Sequence, residues 1–378
     1  MKKKIAFISF VRWNDNESSC TKTAKDAFLQ TIEMAVQAEA LGVDGAFFRV
    51  HHFSDSLSSP LPLLSAIGAK TEKIEIGSGV IDLRYENPQH LAENAGATDL
   101  IMNGRLQLGL GRGAPWSAVD GWKHFGYRPK AGKSPTDMAM ERAEAFLDIL
   151  KGEKKIELEV PFPDAPVNHR MARIEPHSPT LLERVWWASG SLSSAEWAAK
   201  HGLNLQSAGH SGGNARNAAF PDHAMPVLAD DMKKEEQENR EAARYAKEAN
   251  PKKKPMPFAG QKEHIKHYLA AWQKAGHTRK PRIAVIRELV PLDSEKEKQQ
   301  FDQVTEKLHT LWPNHKKARN VFEGGYKGSS DEIVELMKND EAAMLADTIM
   351  VPVANEIGMD FNLRLLEKVV KQIAPQLG

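Results

Sequence analysis

Three stretches of this chain have the residue types and spacing to do chemistry. The first is Gly104-Arg105-Leu106-Gln107-Leu108-Gly109-Leu110-Gly111-Arg112-Gly113. A short apolar run, Leu106–Leu110, leads into a glycine-rich turn with one fixed positive charge, Arg112. Glycines let the backbone approach a ligand, and a guanidinium is a planar fork suited to a phosphate. A Rossmann loop is excluded, because G-x-G-x-x-G opens directly into a helix. Here Gly109, Gly111 and Gly113 alternate and Pro115-Trp116 follow. On these residues alone the turn is either an anion cradle or a bare strand-end turn.

The second stretch is Ser189-Gly190-Ser191-Leu192-Ser193-Ser194. Hydroxyls at a helix N-terminus, with its unpaired N–H groups and positive dipole end, suit a phosphate. The plainer reading is that Ser193 caps the helix, with Glu196 completing a capping box. Gly328-Ser329-Ser330-Asp331-Glu332 has the same capping pattern, but its acidic first turn makes it a poor anion site and it reads as a plain cap. The third stretch is His51-His52. Adjacent histidines on a strand point apart and no third ligand follows at a usable spacing, so no metal site is expected. A single histidine at a strand end suits general acid/base work or a hydrogen bond to a ligand. Trp13, Trp116, Trp122 and Phe125 fall near these stretches and suit either stacking on a planar ring or core packing.

Elements that would position these residues alternate along the chain. Strands are predicted at Ile5–Phe10, Gly45–Val50, Lys73–Leu83, Leu106–Leu110, Val185–Ala188, Leu203–Gln206, Arg282–Val290 and Ala346–Val351. Helices are predicted at Ala24–Leu41, Leu61–Lys70, Pro88–Met102, Thr136–Leu150, Ser194–His201, His264–Lys274, Asp293–Leu311 and Phe361–Ile373. Short, nearly continuous apolar strands alternating with helices predict a parallel sheet covered on its outside. Eight such pairs predict an α/β fold, a closed (β/α)8 TIM barrel over residues 1–378 as one domain. Insertions are expected before strand five (152–184, an excursion) and between strands six and seven (209–262, a candidate lid). In this fold the C-terminal strand ends collect the chemistry, which is where all three stretches fall.

Composition narrows the function classes. Across 378 residues, 51 basic side chains against 50 acidic ones leave +1, so no global charge argues for nucleic acid or an anionic membrane. The single cysteine, Cys20, excludes an internal disulfide and fits a reducing, cytoplasmic setting. The leading Met1-Lys2-Lys3-Lys4 and the apolar run Ile5–Val11 end at Arg12 without a small-residue cleavage site, and read as a first strand. No apolar run is long enough to span a bilayer.

Taken in order, these residues resemble the bacterial luciferase-like family of flavin-dependent monooxygenases. The matching pieces are Ala38-Glu39-Ala40-Leu41-Gly42-Val43-Asp44-Gly45 leading to His51-His52-Phe53, then Ile76-Gly77-Ser78-Gly79-Val80-Ile81. Asn87-Pro88 with Leu91-Ala92-Glu93, the Asn103–Gly113 stretch, and Ala188-Ser189-Gly190-Ser191 with Glu196-Trp197-Ala198-Ala199 follow. The tail Ala346–Pro352 also resembles the family's eighth strand. The resemblance covers about 1–205 and 281–378 and is poor over 209–262.

The resemblance implies site residues. Arg112, Ser191 and Ser194, with Gly190 between the serines' strand and helix, match positions that hold the flavin phosphate, and Arg142 lies where a second phosphate-side arginine is found. Ser78, Gly79 and Val80 match the segment lining the isoalloxazine ring, with a non-prolyl cis peptide expected at Gly79–Val80. His51 matches the catalytic acid/base. Two positions depart from the family pattern: Val50, preceded by Arg49, replaces the usual acidic residue before that histidine, and Gly111 stands where luciferase has its reactive thiol.

The implied function is an FMN-dependent monooxygenase that takes reduced flavin from a separate reductase. It would use O2 to oxygenate a small organic substrate through a flavin C4a-peroxide. The family also implies a homodimer, or a heterodimer with a paralogous subunit, through helices two and three. Alternatives are an F420-dependent oxidoreductase, a non-catalytic flavin-binding partner subunit, and a flavin-free barrel hydrolase or isomerase.

Overall fold

The computed structural model describes residues 2–113, 118, 120–158, 171–207, 259–314, 322 and 325–378. Eight parallel strands close into a barrel: β1 (Lys4–Ser9), β2 (Gly45–Phe48), β3 (Glu75–Ser78), β4 (Leu106–Gly111), β5 (Val185–Ser189), β6 (Asn204–Ser207), β7 (Ile283–Ile286) and β8 (Thr348–Val353). Neighbours in sequence pair around the ring, β8 returns to β1 with Ile5 opposite Ile349, and β3 meets β4 with Ile76 opposite Leu106. The outer layer contains α1 (Ala24–Ala40), α2 (Pro60–Gly68), α3 (Pro88–Ile101), α4 (Pro135–Leu150), α5 (Leu192–Lys200), α6 (Ala259–Ala275), α7 (Glu295–Leu311), α8 (Ser330–Asn339) and α9 (Met359–Lys368).

Alternation along the strands sorts side chains into two cores. Ala6, Ile8, Phe47, Trp186, Ala284 and Met350 fill the inside of the barrel. Their neighbours Ile5, Phe7, Phe48, Val185, Trp187 and Val285 face the helices in one large cluster. The floor of the interior is charged. Arg282 and Lys4 both pair with Glu75, and the Arg282 guanidinium lies 5.0 Å from the Trp186 ring centroid. A polar floor and a plugged waist leave the opposite, C-terminal mouth as the end where the loops gather.

Three sequence expectations change in detail. Lys73–Leu83 is interrupted: β3 stops at Ser78, and Ile81–Asp82 resumes as a short strand on β4 after the cis peptide bond Gly79–Val80. Arg282–Val290 splits as well, with β7 in the barrel and Leu289–Pro291 pairing outside it with Tyr326–Gly328. The helix after β5 is capped by Ser191 and not Ser193. The Ser191 backbone is extended (φ −128°, ψ 154°), its hydroxyl accepts from the Ser194 N–H, and the helix starts at Leu192. Ser193 is therefore already inside the first turn, and Glu196 pairs with Lys200 rather than with the cap. Ser329 does cap α8, with Glu332 completing the box. The excursion before β5 forms a strand pair, Ile156–Glu157 with Met171–Ala172. Most of the expected lid (209–258 of 209–262) and Trp116 lie outside the described residues.

Candidate active site

At the mouth, β4 and β5 leave the barrel side by side, with Leu110 opposite Trp187. The Gly111-Arg112-Gly113 turn and the Ser189-Gly190-Ser191 turn are thus adjacent strand ends. The α5 N-terminus opens between them with its first N–H groups free of helical partners. Ser194 is buried and its hydroxyl accepts from the Trp187 indole at 3.0 Å, which leaves the hydroxyl proton to donate.

Beneath the Ser189–Ser191 turn runs a buried hydrogen-bonded chain. Arg287 forms an ion pair with Asp340 and donates to Gln261 Oε1 (2.8 Å). Gln261 Nε2 donates to the Ser207 carbonyl oxygen (2.9 Å). Ser207 Oγ lies 3.0 Å from His264 Nδ1, and His264 Nε2 lies 3.1 Å from Ser189 Oγ. Ser189 Oγ in turn donates to the Ser191 carbonyl oxygen (2.9 Å). Burial pushes the His264 imidazole down to about 4, so it is neutral at physiological pH. The sequence reading missed this chain, because its members are separated by tens of residues and share no motif.

The β3 side is closely packed. Ser78 Oγ donates to the Gly109 carbonyl and accepts from the Gly109 N–H (2.8 and 2.9 Å), so its hydroxyl clamps β3 to β4. A Cβ on Gly109 would stand 2.1 Å from the Ser78 carbonyl oxygen, and one on Gly111 would stand 3.0 Å from Val80 Cγ2. Glycine at both positions is what lets the cis Gly79–Val80 segment lie against β4. Gln206 Nε2 donates to the Ser78 carbonyl (3.0 Å), tying β6 to the same point.

Arg142 is tied to the turn after β3. Its Nη1 donates to the carbonyl oxygens of Leu83 and Arg84 (3.1 and 2.8 Å), and its guanidinium lies 4.0 Å from the Tyr127 ring centroid. It braces the turn after Asp82. In that turn Arg84, fully buried, forms a two-pronged pair with Asp82 and packs against Gly113 so closely that a Cβ there would overlap its guanidinium. Glu86 follows, its carboxyl pushed up to about 7 by desolvation, with the Asp82 charge adding and Arg142 opposing.

His51 and His52 sit in the turn after β2 and point to different neighbours, as adjacent residues should. His51 stacks on Phe10 (centroids 5.3 Å apart), while His52 stacks on Tyr85 (4.1 Å) within a cluster holding Phe125. His52 Nε2 is buried with no hydrogen-bond partner among the described residues, and burial lowers its pKa. Trp122 joins this cluster beside Tyr85 and under Arg84, whereas Trp13 packs edge-on against Phe28 on α1. Among the described residues no group of three potential ligands could hold a metal ion, and no helix is long and apolar enough to cross a membrane.

The chain is thus a parallel (β/α)8 barrel that brings a glycine-rich and a serine-rich turn to adjacent strand ends and a histidine pair to the turn after β2. Residues 6–229 match the family described as luciferase-like monooxygenase, and the chain belongs to that family. It is 28% identical over 189 residues to N-acetyl-S-alkylcysteine monooxygenase of Bacillus subtilis, covering 49% of this chain and 52% of that protein. It is 30% identical over 110 residues to the oxygenase component of the flavin-dependent trigonelline monooxygenase of Acinetobacter baylyi, covering 29% of each. The chain thus spans about half or less of the length of these two curated relatives. Among solved structures, the oxygenating constituent of 3,6-diketocamphane monooxygenase from Pseudomonas putida, in complex with FMN, superposes with a TM-score of 0.66. That match has 20% identity and covers 99% of both chains, a likeness of fold.

Proposed function

We propose that this chain is the oxygenase component of a two-component monooxygenase. It binds reduced FMN delivered by a separate reductase and uses O2 to oxygenate a small organic substrate. The observation that carries this reading is the pairing of β4 with β5, which sets Arg112 beside the Ser191-capped N-terminus of α5. That donor set fits a phosphomonoester: a fixed guanidinium, free helix N–H groups and hydroxyls of Ser191 and Ser194, with Gly190 giving the backbone close access. The Gly79–Val80 segment, seated directly against Gly109 and Gly111, is the part of the mouth against which the flat ring would lie.

When bound and reduced, the flavin supplies the electrons that activate O2. The chain's own residues position and shield. His51, held against Phe10, holds or accepts a proton at the substrate side of the mouth. The aromatic cluster of His52, Tyr85, Trp122 and Phe125 excludes water on the β3 side. The A. baylyi relative is named an oxygenase component, which supports the separate reductase.

The test is anaerobic loading with reduced FMN followed by rapid mixing with O2. Flavin reoxidation markedly slower than that of free reduced FMN, lost in His51→Ala or accelerated by substrate, is the expected result. Reoxidation at the free rate overturns the reading, and titration with F420 then decides whether that cofactor takes its place.

A further inference from the structure

Two guanidinium groups at the mouth have no hydrogen-bonding or ion-pair partner among the described residues. Arg12 follows β1 and Arg49 follows β2, strands that pair with Ser9 opposite Phe48. Their Cζ atoms lie 3.9 and 5.0 Å from the centroid of one ring, Phe10, the ring on which His51 also stacks. The far side of Arg12 is covered by Trp312, 5.5 Å away. Neither guanidinium makes a hydrogen bond or ion pair with any side chain or carbonyl among the described residues.

The charge balance around them is uneven. Arg12 feels buried Glu356, whose carboxylate holds the Trp312 indole at 2.9 Å. Arg49 has no acidic counterpart among the described residues. Desolvation pushes it down to about 10, and the neighbouring Arg12 adds to the shift. Both side chains are only partly exposed. An enclosed, unpaired guanidinium is costly, because the desolvation of the charge is not offset by a counter-ion. Cation–π contact with one phenyl ring offsets a small part of it, about 0.5–2 kcal/mol. A bound anion offsets much more, since an arginine–oxyanion pair is a charge-assisted and often two-pronged hydrogen bond. Buried Val50 separates Arg49 from His51, so no carboxylate adjoins Arg49 along the chain.

We infer that Arg49, with Arg12, binds the oxyanion of the substrate, and that the substrate is a small organic acid carrying a carboxylate or sulfonate beside the carbon skeleton to be oxidised. This rests on the proposed function for the oxidation itself. It assigns the two arginines to substrate selection and leaves the flavin phosphate to the β4–β5 side. His51 shares the Phe10 ring with both arginines, so an acid anchored there is held next to the proposed proton-transfer group.

The test is calorimetric titration of the full chain, flavin-free and FMN-loaded, with paired probes: acetate and acetamide, hexanoate and hexanamide, benzoate and benzamide. FMN affinity is measured separately. At least one acid should bind ten-fold or more tightly than its amide. Arg49→Gln should remove that preference while leaving the FMN dissociation constant within about two-fold, and Arg49→Lys should keep part of it. Equal affinity for acid and amide in every pair, including failure of all to bind, overturns the inference. So does an Arg49→Gln effect on FMN as large as that on the acids. Failure of FMN to bind at all overturns the proposed function, while the flavin-free titrations still decide this inference.

Discussion

His264 Nε2 lies 3.1 Å from Ser189 Oγ, and this contact fixes which ring nitrogen carries the proton. Ser189 has one hydroxyl proton and gives it to the Ser191 carbonyl at 2.9 Å, so toward the imidazole it can only accept. His264 must then be the Nε2–H tautomer, with Nδ1 accepting from Ser207. The direction of every bond from Arg287 to Ser191 follows.

His264 is therefore a positioning residue for the α5 cap. His264→Ala leaves two buried serine hydroxyls short of a partner and should cost about 2–4 kcal/mol of stability. It should also weaken FMN binding about ten-fold, whereas Ser193→Ala, at an exposed site, should do neither. Because the folded pKa lies near 4 against 6.5, the unfolded chain takes up a proton that the folded chain refuses. The His264 contribution is thus complete above about pH 6.5 and lost as pH falls toward 4. Denaturant titrations of both variants at pH 5 and 7, with nitrogen NMR of the imidazole, check this. An Nδ1–H tautomer or unchanged FMN affinity would contradict it.

Glu86 predicts the opposite pH dependence. Its carboxyl titrates near 7 in the fold and near 4.5 when unfolded. Between those values the folded chain holds a proton that the unfolded chain has released, so stability falls as pH rises through this window. Glu86→Gln, which copies the protonated form, should match the parent near pH 4 and exceed it at pH 8 by about 1–3 kcal/mol. Unfolding midpoints measured from pH 4 to 8 give the answer, and a constant difference across that range would count against the assignment.

The barrel was legible in the sequence for a physical reason. Strands such as Ile5–Phe10 and Leu106–Leu110 are apolar on both faces, a pattern that a parallel sheet between two cores demands. The site was only partly legible. The Arg112 and Ser191 turns announce themselves locally through glycine and serine. Ser191, rather than Ser193, caps α5 because the Ser191 backbone is the last extended one before the helix, and no spacing rule separates two serines placed so closely. The His264 chain and the isolation of Arg49 were not legible at all. One depends on partners more than 50 residues apart, and the other on the absence of an ion-pair partner among the described residues, which only the folded chain reveals.

Arg112 and Arg142 should separate in function. Both were expected beside the phosphate, yet Arg142 already donates to Leu83 and Arg84 and stacks on Tyr127. Arg142→Met should lower stability by about 1–3 kcal/mol, since it strips two carbonyl oxygens of a charged donor, and should change FMN affinity little. Arg112→Gln should do the reverse, weakening FMN ten-fold or more at unchanged stability. Paired unfolding and flavin-binding curves decide the matter, and a large FMN defect in Arg142→Met would return that arginine to the phosphate.

Gly111, where the resemblance would place a thiol, has little room for one. A Cβ at this position meets Val80 Cγ2 at 3.0 Å and Ala188 Cβ at 3.7 Å, so a cysteine needs Val80 to give way. Gly111→Cys should lose about 1–3 kcal/mol from overpacking, and adding Val80→Ala should recover part of that loss. Residues in contact couple, so the double variant should be more stable than the sum of the two single changes predicts. Four unfolding curves complete the cycle. Additive effects would show that Val80 is not the obstacle and that the mouth could hold a thiol at this position without rearrangement.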